Sequence, residues 1–448
     1  MHSDLRCALN RSPQQTRSTH SMNTTAAAAL DSQAGLAENT NSIGLGLLRQ
    51  PRYVFFGPGQ RIQIARLAQT LGRGIAIVTD QRMTTTAHFS EIVQQLTDRG
   101  LDVSVFDKVD PELPRESLLA AVGQLADKRI DAVIGLGGGS CMDAAKVVAI
   151  LLAHGGDVRK YYGENLVPGP GLPVITVPTT GGTGAEVTSS AVVYDAEQAM
   201  KIGVASPFLE PYAAVVDPEF TLSVPAGLTT ATGADALSHL IEAYTSRAKN
   251  PTADEIDRHM YVGKNTLTDV YARYGLQLIN VSLENVVARP DDLTARTETM
   301  LAAHAAGMAI NTSGTAAAHA IQSPIGALTS TSHGIGVGAL LPYVMRFNLP
   351  TRVTVFAEMA DVLGVSEPHA DPQANAQAAI SRIDSILDAI RIPSTLSELG
   401  LRRENFEFVA EQALKATRLT ANNPRELTKE GIVEILARGH AGDRSFWG

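Results

Sequence analysis

Cysteine is almost missing from this chain: Cys7 and Cys141 are the only two in 448 residues. Two thiols, one of them in a low-complexity segment, exclude a disulfide framework and suit a reducing compartment. The expected location is the cytoplasm, with organellar targeting by the N-terminal tail left open. Aromatic residues amount to 5%, with one tryptophan, and charged residues to 19%. Cations are the minority charge. A net charge of −9 and a pI near 5.7 argue against nucleic acid or an anionic membrane as partner. Long apolar runs are lacking as well; Ala144–Ala153 comes nearest and is too short and amphipathic to span a bilayer. No internal repeat of roughly 20–50 residues is visible.

The first residues lack periodicity. Met1–Gly46 is rich in Ser, Thr, Ala, Asn and Gln, carries Arg6, Arg11 and Arg17, and has no apolar secretory core. A disordered tail over 1–48, or an upstream start with Met22 as the true initiator, is expected, and this segment is set apart from the fold. The whole chain is 44% apolar, and what remains is long enough for two domains.

From Arg52 onward strands and helices alternate. Tyr53–Gly57, Gly74–Asp80, Val103–Phe106, Asp131–Leu136, Pro173–Pro178 and Ala213–Pro218 read as strands, with amphipathic helices around Phe89–Arg99 and Arg115–Lys128. Continuous apolar strands separated by helices predict a parallel sheet covered on both faces. Val187–Val193 and Met200–Val204 predict a hairpin about Asp195-Ala196-Glu197. The fourth strand runs straight into Gly137-Gly138-Gly139-Ser140 and a helix. Residues without a Cβ let backbone N–H groups approach a pyrophosphate at a helix N-terminus. After Pro178 comes Thr179-Thr180-Gly181-Gly182-Thr183-Gly184-Ala185-Glu186, a second loop of small residues and hydroxyls. Either loop alone is also an ordinary turn; together they suit a nucleotide. Asp80, at a strand end, can accept from ribose hydroxyls and repel a 2′-phosphate, or simply cap the next helix. Lys201 can reach a cofactor or be solvated.

Beyond Leu222 the strand pattern stops. Amphipathic segments follow at Ala234–Arg247, Ala253–Leu283, Leu293–Ile310, Ala316–Ser323, Tyr343–Leu363, Pro372–Ile390 and Arg403–Thr417, punctuated by Pro251, Pro290, Pro324, Pro342 and Pro393. The expected organisation is an α/β dinucleotide-binding domain over 49–221 and an all-helical metal domain over 222–448. Asp235 and His239, four apart on an apolar helix, project from one face. A carboxylate aimed into a core is costly unless it is paired or bound to a metal. With His319 and His333 it makes an N/O set suited to a divalent first-row metal. The bland alternative is a capping acid among satisfied core histidines.

These stretches resemble the signatures of the iron-containing (group III) alcohol dehydrogenases. Gly137-Gly138-Gly139-Ser140 with Asp143-x-Ala145-Lys146 is similar to the first, and Pro178-Thr179-Thr180-x-Gly182-Thr183-Gly184-x-Glu186 to the second. Thr232-Gly233-x-Asp235-Ala236-x-x-His239-x-x-Glu242-Ala243 is similar to the third, and His319…Pro324…His333-Gly334 to the fourth. The resemblance implies Asp235, His239, His319 and His333 as catalytic metal ligands, for Fe(II) or in some members Zn(II). It also implies NAD, with NADP the less expected, contacted by Gly137, Gly138, Gly139, Ser140, Asp143, Thr179, Thr180, Thr183 and Lys201, with Asp80 and Leu222. Two departures stand out. Ser323 occupies a position where many members have a second histidine placed in the proton relay. His259–Asn265 looks like extra sequence between helices.

The implied activity is NAD-linked interconversion of a small alcohol and its aldehyde or ketone, the metal acting as Lewis acid. The rivals are a dehydroquinate-synthase-like lyase, a hydroxyacid-oxoacid transhydrogenase of the same family and a non-enzymatic nucleotide-binding module. No basic run marks a polyanionic substrate, so a short, neutral or mildly polar one is expected. A homodimer or higher homo-oligomer is expected too. Cys141, His154, His259 and His304 are left as packing or surface residues, His304 with a chance of reaching the pocket.

Overall fold

The computed structural model describes residues 44–447, Ala199 aside. The tail expected over 1–48 lies outside the described residues except for its end. Gly44–Leu48 is tied down there: the Leu47 N–H donates to Asn265 Oδ1 at 3.1 Å, and Leu47 O accepts from Thr312 Oγ1 at 2.9 Å.

Nine strands are described. They are β1 (Tyr53–Phe56), β2 (Gly74–Val78), β3 (Asp102–Phe106), β4 (Ala132–Gly137), β5 (Gly163–Glu164), β6 (Val174–Pro178), β7 (Ser190–Asp195), β8 (Met200–Ala205) and β9 (Ala213–Val216). Six form one parallel sheet in the order β1-β9-β6-β4-β2-β3. Alternation explains its two-sided burial. In β2, Ile75 and Ile77 enter one apolar layer while Ala76 and Val78 enter the other. The expected hairpin is β7–β8, antiparallel from Ser190↔Ala205 to Asp195↔Met200, and β5 adds to it in parallel.

The rest is helical. Its core joins helices Ala226–Thr245, Thr266–Ala288, Leu293–Ser313, Ala317–Thr329 and His333–Asn348 to the C-terminal helices. Several boundaries differ from the sequence reading. Pro324 and Pro342 do not end helices; they lie inside Ala317–Thr329 and His333–Asn348. An interior proline costs ~3 kcal/mol, and burial of both helices in the largest core outweighs it. The segment read as Tyr343–Leu363 is two helices, parted at Leu349–Thr351. The segment read as Ala253–Leu283 is likewise two, Ala253–Arg258 and Thr266–Ala288. Each of that pair begins with a capping box, Thr252 with Glu255 and Asn265 with Thr268.

Candidate metal centre and nucleotide cradle

The centre is built on helix Ala226–Thr245, where Asp235, His239 and Glu242 fall on one buried face. His319 comes from the first turn of Ala317–Thr329, and His333 opens His333–Asn348. Gly334 lets that last helix come close: a Cβ there would lie 2.0 Å from Ala231 O, on the Asp235 helix. Asp235 Oδ1 is thereby surrounded by three imidazole Nε2 atoms, His239 at 3.6 Å, His319 at 3.5 Å and His333 at 3.5 Å. The ligand atoms of Asp235, His319 and His333 lie within 4.8 Å of one another. His239 stands beside them, its ring stacked on that of His319 with centroids 4.7 Å apart.

Two observations fit a cation at this spot. Asp235 Oδ1 and His319 Nε2 are buried without a hydrogen-bond partner among the described residues. The donor set, one carboxylate and three imidazoles, also suits a divalent first-row metal. The electrostatics of three of the four agree. Burial would raise the Asp235 carboxyl, but the imidazoles of His239, His333 and His319 hold it well below the usual range. Burial lowers His239, and it pushes His333 down to about 4, so both stay neutral, as ligands must. His333 is also the open edge, its side chain 34% exposed where the other three are nearly covered.

Glu242 is the functional residue that sequence reasoning missed. Its carboxylate accepts the Ala316 N–H at 3.1 Å, the Ala318 N–H at 2.7 Å and a hydrogen bond from His319 Nδ1. That bond fixes the ring so that Nε2 faces Asp235, the orienting role carboxylates play behind metal-bound histidines. Burial lowers His319, yet Glu242 and then Asp235 raise it to about 9. The signal was available: Glu242 stands seven residues after Asp235 on the same helix, within the third signature.

The nucleotide cradle forms where β4 turns into helix Gly139–His154. Gly137 has φ 149°, and a Cβ there would collide with Cys141 Sγ at 2.6 Å. The two small-residue loops are adjacent, as expected. The Thr179 N–H donates to Gly137 O at 2.9 Å, Thr183 packs against Gly139, and a Cβ on Gly138 would lie 3.7 Å from Thr180 Oγ1. Ser140 lies in the first turn of the helix. A cavity opens beside the second loop, lined by Thr180, Gly181, Thr221, Thr229, Thr232 and Arg296 among others, and Leu222, 41% exposed, follows Thr221. Gly182 sits so close to Thr232 that a Cβ would lie 2.6 Å from it. Since Thr232 precedes Asp235 by three residues, cradle and metal cluster meet on one helix.

Asp80 makes the helix cap the sequence allowed and keeps its second oxygen at the glycine turn. Its Oδ1 caps the next helix through the Met83 N–H at 2.9 Å, while Oδ2 faces the Gly137 turn and Cys141 Sγ at 3.7 Å. Burial and Asp80 push the Cys141 thiol up, so it is unreactive packing. Asp143 is engaged within the protein. Its Oδ1 is 3.3 Å from Lys146 Nζ and its Oδ2 accepts the Val192 N–H at 2.9 Å, so it anchors the hairpin to the helix. Lys201 is ion-paired with Glu112 and lies close enough to disfavour a charge on His333. His304 is held by Glu186 at 3.2 Å.

A parallel sheet with a glycine-rich turn, set against helices carrying a buried carboxylate–imidazole cluster, defines a metal-dependent, dinucleotide-linked oxidoreductase. The family can be named as well. Residues 51–218 match the iron-containing alcohol dehydrogenase model and residues 256–439 the C-terminal model of the same family. The chain is 34% identical over 371 residues to an NAD-dependent methanol dehydrogenase of Bacillus methanolicus, covering 83% of this chain and 93% of that one. It is 31% identical over 395 residues to a 1,3-propanediol dehydrogenase of Klebsiella pneumoniae, covering 86% and 96%. A solved structure of 1,3-propanediol oxidoreductase superposes with a TM-score of 0.82 at 30% identity, covering 88% of this chain and all of that one. This chain belongs to the iron-containing alcohol dehydrogenase family.

Proposed function

We propose that the chain interconverts a small alcohol and its aldehyde or ketone, using NAD and a divalent metal, Fe(II) or Zn(II), with Asp235, His239, His319 and His333 as the metal-holding residues. The observation that carries this is the unpartnered, buried Asp235 Oδ1 ringed by three imidazoles, on the helix against which the glycine cradle docks. When bound, the metal supplies Lewis acidity toward the substrate oxygen, and the nicotinamide supplies or takes the hydride.

The chain's own groups do the rest. Asp235 contributes the single negative charge, and Glu242 holds the His319 tautomer. His333 marks the edge from which substrate enters. Gly137, Gly138, Gly139 and Ser140 bring backbone N–H groups to the pyrophosphate at a helix start, with Thr179, Thr180 and Thr183 alongside. Asp80 Oδ2 receives a ribose hydroxyl and repels a 2′-phosphate, favouring NAD. Leu222 borders the adenosine end and is the division we propose between the dinucleotide-binding and helical domains. No helix among the described residues is long and apolar enough to cross a membrane. We place the enzyme in the cytoplasm, on its cysteine-poor composition, as a homo-oligomer. Neither the lyase nor the transhydrogenase has an observation in its favour.

The test follows NADH absorbance with small aldehydes and metal-loaded protein, beside Asp235→Ala. The variant should lose most bound metal and at least ~100-fold in activity, the upper scale for disturbing a metal site. Full metal content with normal turnover would overturn the assignment.

A further inference from the structure

Arg247 and Lys249 lie two residues apart and Arg418 far along the chain, so no basic run marks them; the fold brings Lys249 and Arg418 to Tyr261 and sets Arg247 near enough to act on Lys249. Lys249 Nζ approaches Tyr261 O at 3.4 Å. The Arg418 guanidinium lies over the Tyr261 ring, 4.2 Å from its centroid. The Arg247 backbone N–H donates to Asn422 O at 3.0 Å. Among the described residues none of these three cations has a carboxylate within ion-pair distance. The nearby acid, Glu164, is engaged: its Oε2 accepts the Met260 N–H at 2.7 Å and faces His259 Nδ1 at 3.8 Å. Partial burial, together with Arg418 and Arg247, lowers the Lys249 pKa against the pull of Glu164. Clustered like charges of this kind are unfavourable unless an anion joins them.

The neighbourhood is that of the metal centre. A Cβ on Gly314 would lie 3.1 Å from the Tyr261 ring and 3.3 Å from Asn422 Nδ2. The same Asn422 amide donates to Ser313 O at 2.8 Å and Thr315 O at 3.0 Å. The next residue, Ala316, donates its N–H to Glu242, the carboxylate that holds His319. One tight turn of chain thus separates Tyr261 and its cations from a metal ligand. Tyr261 belongs to His259–Asn265, the segment that departs from the family's pattern.

We propose that Arg247, Lys249 and Arg418 receive an oxyanion carried by the substrate, so that the aldehyde or alcohol turned over here bears a carboxylate, sulfonate or phosphonate beyond its reacting carbon. The inference rests on the oxidoreductase reading above. Guanidinium groups offer forked donors to such oxygens and Lys249 a point charge. The cofactor's own ribose end is assigned to Asp80, at the Gly137 turn, so a nucleotide phosphate is not the ligand of this cluster.

The experiment compares kcat/KM for succinic semialdehyde, sulfoacetaldehyde and phosphonoacetaldehyde with that for butanal, using NADH and metal-loaded enzyme. At least one charged aldehyde should be preferred by ~10-fold or more, about 1.4 kcal/mol. The advantage should sit in KM and shrink with added salt. Lys249→Met and, separately, Arg418→Gln should each cut the charged-to-neutral ratio by ~10-fold. A preference for butanal, or a ratio unmoved in both variants, overturns the proposal. If no aldehyde at all consumes NADH, the oxidoreductase reading fails instead. Calorimetric titration of isethionate, the alcohol of sulfoacetaldehyde, then decides the anion site without turnover. Binding lost in Lys249→Met supports the site, and binding that survives both substitutions overturns it.

Discussion

Glu242→Gln separates the two things the buried glutamate does for His319. The carboxylate accepts three N–H groups, from Ala316, Ala318 and His319 Nδ1. An amide has one acceptor oxygen and an NH2 that cannot accept. With the oxygen kept on Ala318, the NH2 faces the Ala316 N–H and the imidazole. His319 relieves that conflict by moving its proton from Nδ1 to Nε2, the atom turned toward Asp235. Loss of such an orienting partner costs ~10–100-fold in metal affinity. A second effect has the opposite sign. Burial disfavours the charged ring, but Glu242 and then Asp235 raise the His319 pKa to about 9. A metal must therefore displace a proton near neutral pH. Wild-type apparent affinity should rise ~10-fold per pH unit up to about pH 9 and level off above it. Without Glu242 the ring is already neutral at lower pH, so that rise flattens. Near pH 7, two pH units below the His319 value, the relief from proton competition is ~100-fold at most and offsets the lost orientation. At pH 9 only the loss remains. Competition titration with a fluorescent chelator from pH 7 to 9, on both proteins, reads this out. Parallel curves for wild type and variant would refute the reasoning.

Two other substitutions follow from buried or capping carboxylates. Asp80→Gly removes both the ribose acceptor and the repulsion of a 2′-phosphate. The ratio of kcat/KM for NADH over NADPH should fall ~10-fold or more, while loss of the side-chain cap on Met83 should cost only about a few tenths of a kcal/mol, because glycine is itself a tolerated cap. An unmoved ratio would reduce Asp80 to a cap. Glu210 is held by Asn311 Nδ2 at 3.1 Å, and burial raises its pKa to about 7 from an ordinary 4.5. Because the folded pKa is raised, the stability Glu210 contributes is full below about 4.5 and is lost as pH climbs through about 7. Glu210→Gln should therefore gain on wild type by up to ~3 kcal/mol between pH 5 and 8; denaturant melts with a constant difference across that range would contradict it.

What was legible in the sequence follows from how locally each feature is determined. Gly74–Val78 is buried on both faces, so its apolar run shows without knowledge of its neighbours. Asp235 and His239 are visible because one helix carries both. The interior prolines misled because a local stop signal was outweighed by the burial of Ala317–Thr329 and His333–Asn348, which only the assembled core reveals. The hold of Asp143 on the hairpin was not legible, because its partner Val192 lies 49 residues away, in a hairpin whose docking no spacing rule specifies. The break before Thr266 could have been read, since Asn265 and Thr268 form a capping box; the continuing amphipathic pattern hid it. Arg418 joins Arg247 and Lys249 only in the folded chain.

The two departures that the resemblance to the family implies act in one direction. Ser323 follows His319 by four residues, on the same face of Ala317–Thr329, and is half-buried. Its hydroxyl makes no hydrogen bond with any described residue. Replacing a histidine there with serine takes away a ring and a titratable group together, because a serine hydroxyl cannot take up a proton near neutral pH. Relative to a member with histidine there, this chain would have more space beside the metal helix and one proton carrier fewer. On its own, that gain would favour a bulkier neutral alcohol. The His259–Asn265 segment changes the balance, because Tyr261 holds two cations without ion-pair partners, Lys249 at its carbonyl and Arg418 on its ring, against the turn at Gly314 that leads to His319. An apolar group held against those charges would leave them unpaired and partly desolvated, whereas an oxyanion would neutralise them. Room at Ser323 and positive charge at Tyr261 are both accounted for by a larger, anionic substrate, and neither is needed for a one-carbon alcohol.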